Sequence, residues 1–178
     1  MREDADLAQP VSDRDHAQGR ADAPITLVEY GDYECPYCGA AYPIVKRLQA
    51  RLGPSLRFVF RNFPLTQIHA SALAAAEFAE TAANQGQFWA AHDMLYEHQD
   101  ALSAGDLLAY ARALELDVER LQRDFEQGAA TRRIQEDLDS GGESGVNGTP
   151  GFFINGVRFD ADWRDEDMFE RALLAAAS

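Results

Sequence analysis

Residues 24–30, PITLVEY, form an apolar, β-branched run that predicts a buried strand. The next residues, GDYECP, turn the chain. Pro36 suits the first turn of a helix, where its missing N–H is no loss. Tyr42, Val45, Leu48 and Leu52 then recur at helical spacing until Gly53 and Pro54 stop the helix. Residues 55–63, SLRFVFRNF, set Leu56, Phe58 and Phe60 against Arg57, Val59 and Arg61, which predicts a second strand. Strand, helix and strand of these lengths predict a right-handed βαβ unit.

From about residue 67 to residue 139 the strand pattern disappears, and four or five short helices are predicted. Ser103 and Asp117 stand where helix caps belong, and Leu107, Leu108, Ala111 and Leu114 share one face. Most apolar residues of this block read as packing. Strand character returns in GTPGFFINGVRFDA. There Asn155-Gly156 between two apolar runs signals a hairpin, and one of Phe152 and Phe153 is expected in the core. A last helix has acidic residues in its first turn, with Met168, Leu173 and Leu174 at helical spacing. Residues 1–22 are polar and are expected to be mobile or loosely docked.

The predicted fold class is therefore α/β: residues 23–66 and 140–178 make one domain, and 67–139 an inserted all-helical subdomain. A chain of 178 residues buries about 70% of its unfolded surface, so its core needs no covalent staple. The net charge of −14 makes nucleic acid and anionic membranes poor partners. Lys46 is the only lysine; such an acidic, alanine-rich composition fits a salt-adapted host or a GC-rich genome. Residues 1–24 lack the apolar core of a secretory signal, and no run approaches 18 apolar residues. The expected setting is the cytosol, or outside it if a leader has been removed. A monomer is expected.

The chemistry concentrates in DYECPYCGAAYPIVKRL, which holds both cysteines of the chain. A bridge between Cys35 and Cys38 closes too short a loop to stabilise the fold much. A helix N-terminus, by contrast, stabilises a thiolate, and cysteines so placed titrate at roughly 3.5 to 7.5. Cys35 occupies that position, with Cys38 one turn further in. The expected roles are attack by Cys35 on a disulfide and resolution of the mixed disulfide by Cys38. A metal half-site is the rival reading. It lacks a third cysteine, and His16, His69, His92 and His98 lack zinc-finger spacing.

About 110 residues downstream lies NGTPGFFING. Cys-X-X-Cys after the first strand, Thr-Pro before a later hairpin and a helical block between them resemble the DsbA-like thiol–disulfide oxidoreductases of the thioredoxin superfamily. The resemblance runs from about residue 15 to the carboxyl end and includes APITLVEYGDYECPYC, RNFPL, QFWAAHDMLYEHQDAL and GVNGTPGFFINGVRF. It implies a thioredoxin-like fold, a central mixed sheet flanked by helices. It implies that Pro150 is a cis-proline facing the cysteines, and that the backbone of Thr149 pairs with an extended substrate peptide. It implies that Glu29, six residues before Cys35, exchanges a proton with Cys38; the bland alternative is an exposed edge carboxylate. Pro36 and Tyr37 are expected to contact substrate and to tune the couple. CPYC is the glutaredoxin motif rather than the Cys-Pro-His-Cys of DsbA, so a less oxidising protein than DsbA is expected. The implied partners are proteins with thiols or disulfides and a separate redox partner.

The resemblance implies no cofactor and no metal, and it leaves the direction open among oxidation, reduction and isomerisation. Two alternatives remain: a glutathione-linked reductase, and a non-catalytic metal-binding or interaction module on the same scaffold. His69 reads first as a packing or capping residue, although it could approach the cysteines. Trp89, His92 and Tyr96 share a helix face and read as packing against the sheet domain. No phosphate loop, nucleotide motif or serine triad is present.

Overall fold

The computed structural model describes residues 6–178, so the first five residues of the polar segment lie outside the described residues. Among the described residues, five strands make one mixed sheet. They are β1 (His16–Gln18), β2 (Ile25–Gly31), β3 (Leu56–Asn62), β4 (Gly151–Ile154) and β5 (Val157–Phe159). Their order across the sheet is β1-β3-β2-β4-β5. β2 and β3 run parallel, joined by α1 (Pro36–Leu52); the other pairs are antiparallel.

β2 lies between β3 and β4 and is covered on both faces, which explains its nearly unbroken apolar sequence. Ile25 and Leu27 join Leu56, Phe58, Phe60, Phe152 and Ile154 in the core beneath α1 and α7 (Glu166–Ala176). Val28 and Tyr30 face the other way, with Val59, Val146 and Phe153. Phe152 and Phe153 are thus both buried, where one was expected, because each face of β4 meets its own core cluster.

Five helices separate β3 from β4: α2 (Ala72–Ala83), α3 (Phe88–Glu97), α4 (Ala104–Ala113), α5 (Val118–Glu126) and α6 (Ala129–Glu143). α2 packs against the other four. Its buried residues include Ala72, Ala75, Ala76, Ala79 and Ala82, whose small side chains permit that approach. Ser103 and Asp106 cap α4 reciprocally, and Asp117 accepts from the Arg120 N–H at the start of α5. Asn155 and Gly156 both take positive φ, as a two-residue hairpin turn requires. No helix among the described residues is long and apolar enough to cross a membrane.

The polar amino-terminal segment differs from its expectation. From residue 6 onward it docks, and residues 16–18 form the edge strand, with His16 opposite Phe60. Its polar groups find buried partners. Arg61 donates to both carboxylate oxygens of Asp15, at 2.8 and 3.0 Å, and to the Tyr30 hydroxyl. His16 stacks on Phe88 and reaches the Glu80 carboxylate. The Asp15–Arg61 pair is almost fully buried. Asp15→Ala therefore leaves a buried cation short of its partner and should cost about 3 kcal/mol in urea unfolding. A loss below about 1 kcal/mol would mean that the segment does not hold Arg61.

Candidate active site

β2 ends at Gly31, and residues 32–35 lead into α1. Cys35 is the N-cap residue, its φ and ψ of −67° and 122° are extended, and Pro36 opens the helix. The turn is held by its own backbone and by three side chains. The Cys35 N–H donates to Asp32 O. The Asp32 carboxylate, itself buried, accepts from the N–H groups of Glu34 and Leu65 and from His69 Nδ1 at 2.8 Å. Glu34 accepts from the Ser71 N–H, and Gln99 Nε2 donates to the carbonyls of Tyr33 and Cys35 at 2.8 and 2.9 Å. Residues just beyond β3 and residues bordering α2 and α3 thus fix one turn.

The two sulfurs have opposite surroundings. Cys35 is free, and its Sγ lies 3.7 Å from Thr149 O. Its pKa falls to about 5. The Cys38 thiol, donating to it, contributes most; burial opposes this, and Thr149 and the N–H groups of Cys38 and Tyr37 assist. Cys38 is fully buried, and burial first, then the Cys35 sulfur and Glu29, push its pKa well up. Glu29 is 2% exposed, and its Oε1 has no hydrogen-bond partner among the described residues. Burial, with a further push from the Cys35 charge, raises its pKa to about 8. The arrangement offers an anionic nucleophile, a protonated second thiol and a buried carboxyl able to take or give a proton near neutral pH.

The sequence-derived residues fall as follows. Cys35, Cys38 and Glu29 come together, and Glu29 sits on a central strand rather than at an exposed edge. Thr149 meets Cys35, and the Thr149–Pro150 peptide bond is cis. Pro36 is exposed and Tyr37 is 59% exposed. A groove of about 580 Å³ runs from Tyr37 past Thr149 and Pro150 to Trp163 and Arg164. His69 approaches the site through Asp32, which raises its pKa by hydrogen bonding. Sequence reasoning missed Asp32 and Gln99. An aspartate bonding the backbone two residues on is a turn signal that could have flagged Asp32. Gln99 carries no such signal, because its contacts exist only once the end of α3 reaches residues 33–35.

A family model described as thioredoxin matches residues 11–173. The chain belongs to the thioredoxin superfamily. The chain superimposes on BdbD from Bacillus subtilis with a TM-score of 0.83, at 24% identity and 98% coverage of each chain. A thioredoxin-like oxidoreductase from Silicibacter pomeroyi DSS-3 is 30% identical, with a TM-score of 0.73 over 97% of this chain and 98% of that one. A curated relative from Salinispora tropica, the Na(+)/H(+) antiporter NhaA 3, is 46% identical over 97% of this chain but only 26% of its own length. The chain spans about a quarter of the length of the curated relatives it matches.

Proposed function

We propose that this DsbA-like chain is a protein thiol–disulfide oxidoreductase that works as an oxidant. The observation that supports it is the split between the sulfurs: Cys35 held as a thiolate near neutral pH, Cys38 buried and held as a thiol. In the oxidised form a substrate thiolate attacks the Cys35 sulfur. A substrate–Cys35 bond forms, and the bond between Cys35 and Cys38 breaks. A second substrate thiolate then attacks the substrate sulfur of the mixed disulfide, and Cys35 leaves as a thiolate. The substrate loses two electrons, and the cysteine pair gains them. A low leaving-group pKa speeds that departure and favours the reduced protein.

Cys38 needs a proton in one direction and must lose it in the other, and Glu29 is the group we assign to that transfer. While Cys35 is a thiolate its charge helps keep Glu29 protonated. In the mixed disulfide that charge is gone, so more of the carboxyl is ionised and free to take the proton when Cys38 has to attack. Thr149 and Pro150, with Pro36 and Tyr37 across the groove, form the surface on which an extended peptide would lie. An oxidant of this kind belongs in an oxidising compartment.

The test is acid-quenched alkylation after mixing oxidised protein with a reduced dithiol peptide. The cysteine pair should appear reduced as the peptide becomes oxidised; a pair that never changes state overturns the proposal. Glu29→Gln should slow the step that protonates or deprotonates Cys38 about tenfold while leaving the Cys35 alkylation rate in place. It should also change stability in a definite sense. The raised Glu29 pKa gives stability that is fully present below pH 4.5 and is lost as pH rises through about 8. The reduced wild type should therefore lose melting temperature over that window relative to Glu29→Gln, and parallel curves would contradict the assignment.

A second reading rests on the antiporter relatives. A segment like this chain forms part of proteins named as Na(+)/H(+) antiporters, which supports a redox module acting beside a membrane cation–proton antiporter.

A further inference from the structure

Behind the cysteines, four buried polar atoms have no hydrogen-bond partner among the described residues: Glu29 Oε1, Tyr33 Oη, His92 Nε2 and Tyr96 Oη. A buried unpartnered polar group costs about 1–3 kcal/mol, so a group of them calls for a reason. Their rings are close. Tyr33 and Tyr96 have centroids 4.9 Å apart, His92 and Tyr96 5.1 Å, and Tyr33 and His92 5.7 Å. Glu29 and Gly31 are two residues apart on β2 and so face the same side of the sheet. A methyl group added at Gly31 would lie 2.9 Å from Tyr96 Oη and 2.5 Å from the Phe60 ring. Gly31 thus leaves the space into which α3 delivers a hydroxyl, on the face of the sheet that Glu29 shares.

We propose that Tyr96 is a positioning residue for the redox step: its hydroxyl donates to the Glu29 carboxylate, directly or through one water, when Glu29 takes the proton of Cys38. This deepens the proposed function and rests on it. In the step the Cys38 S–H bond breaks and its proton goes to Glu29. The new bond joins Cys38 to Cys35, and the substrate sulfur departs with the electron pair. An O–H donor stabilises the ionised carboxyl that must exist just before, so it keeps Glu29 a usable acceptor in an apolar setting. The one other unpartnered O–H of the group belongs to Tyr33. The groups acting on Tyr96 are Cys38, Glu29, Tyr33 and Asp32. Burial keeps His92 neutral, and its Nδ1 is engaged by Asp93. Lys46 and His16 act on His92, and Glu80, Glu29, Asp137 and Asp93 act on Tyr33.

Tyr96→Phe deletes the hydroxyl and keeps the ring. Starting from a mixed disulfide on Cys35, release by Cys38 should slow about tenfold at pH 7, and its pH midpoint should rise by about one unit. The Glu29 carboxyl resonance should titrate correspondingly higher. In a Glu29→Gln background the same change should have no further effect on release. Tyr96→Phe should be as stable as the wild type or more so, since an unpartnered hydroxyl has gone. An unchanged Glu29 titration overturns the inference, as does a slowing that persists in full without Glu29. The titration can be read even if no substrate exchanges. Failure of the wild type to exchange at all would therefore tell against the proposed function, separately from this inference.

Discussion

Cys38→Ser should accumulate a mixed disulfide on Cys35, whereas Cys35→Ser should form none and should lose disulfide exchange to the uncatalysed level. The asymmetry follows from the surroundings of the sulfurs. Cys35, although only 3% exposed, lies against Thr149 at the edge of the groove, with Tyr37 exposed beside it. Cys38 is fully buried, and its pKa is raised by burial, so no incoming peptide reaches it as a thiolate. Once Cys38 is serine, the adduct has no internal thiol to release it. Non-reducing gels and mass measurement of the adduct read the result. Equal trapping by both variants would overturn the assignment of nucleophile. The identity of the adduct separates the remaining readings. A mixture of secreted proteins supports the oxidant, glutathione alone moves the function to a glutathione-linked reductase, and one membrane transporter supports the antiporter reading.

Alkylation of Cys35 in the reduced protein should rise with a midpoint near pH 5, against about 8.5 for an ordinary free thiol. Because the folded pKa lies below the reference value of 9.0, the thiolate contributes stability to the reduced protein that is fully present above pH 9 and is lost as pH falls through about 5. At pH 7 this amounts to two pH units of preference for the reduced form, about 2.7 kcal/mol, or about 60 mV. Two well-characterised couples bracket the outcome: a thiol of pKa about 7 accompanies roughly −270 mV in thioredoxin, and one of about 3.5 accompanies roughly −120 mV in DsbA. A potential of about −180 mV is expected, less oxidising than DsbA, in line with a motif that carries Tyr37 in place of histidine. Its dependence on pH between 5 and 9 should be about 30 mV per unit, because one proton rather than two accompanies the two electrons. A thiol midpoint above pH 8 together with a potential near that of thioredoxin would remove the case for an oxidant.

The amino-acid order by itself determined what depends on near neighbours. The turn from an apolar strand into Pro36 placed Cys35 at a helix start, where its unusual acidity arises from groups one turn away. Ser103 and Asp117 cap their helices with residues three positions on, and Asn155-Gly156 turns its own hairpin. Only the tertiary structure decided the rest. Arg61 finds Asp15 at a separation of 46 residues, Gln99 reaches Cys35 at 64, and Tyr96 enters the space over Gly31 from a different helix. Such groups look polar or merely aromatic in the sequence, because nothing within a turn or a strand repeat marks their partners. Chain folding alone brings them together, and burial then raises the energy of leaving any of them unpaired. That is why the two sulfurs and their unequal surroundings could be read from a short motif, while the residues that hold the turn could not.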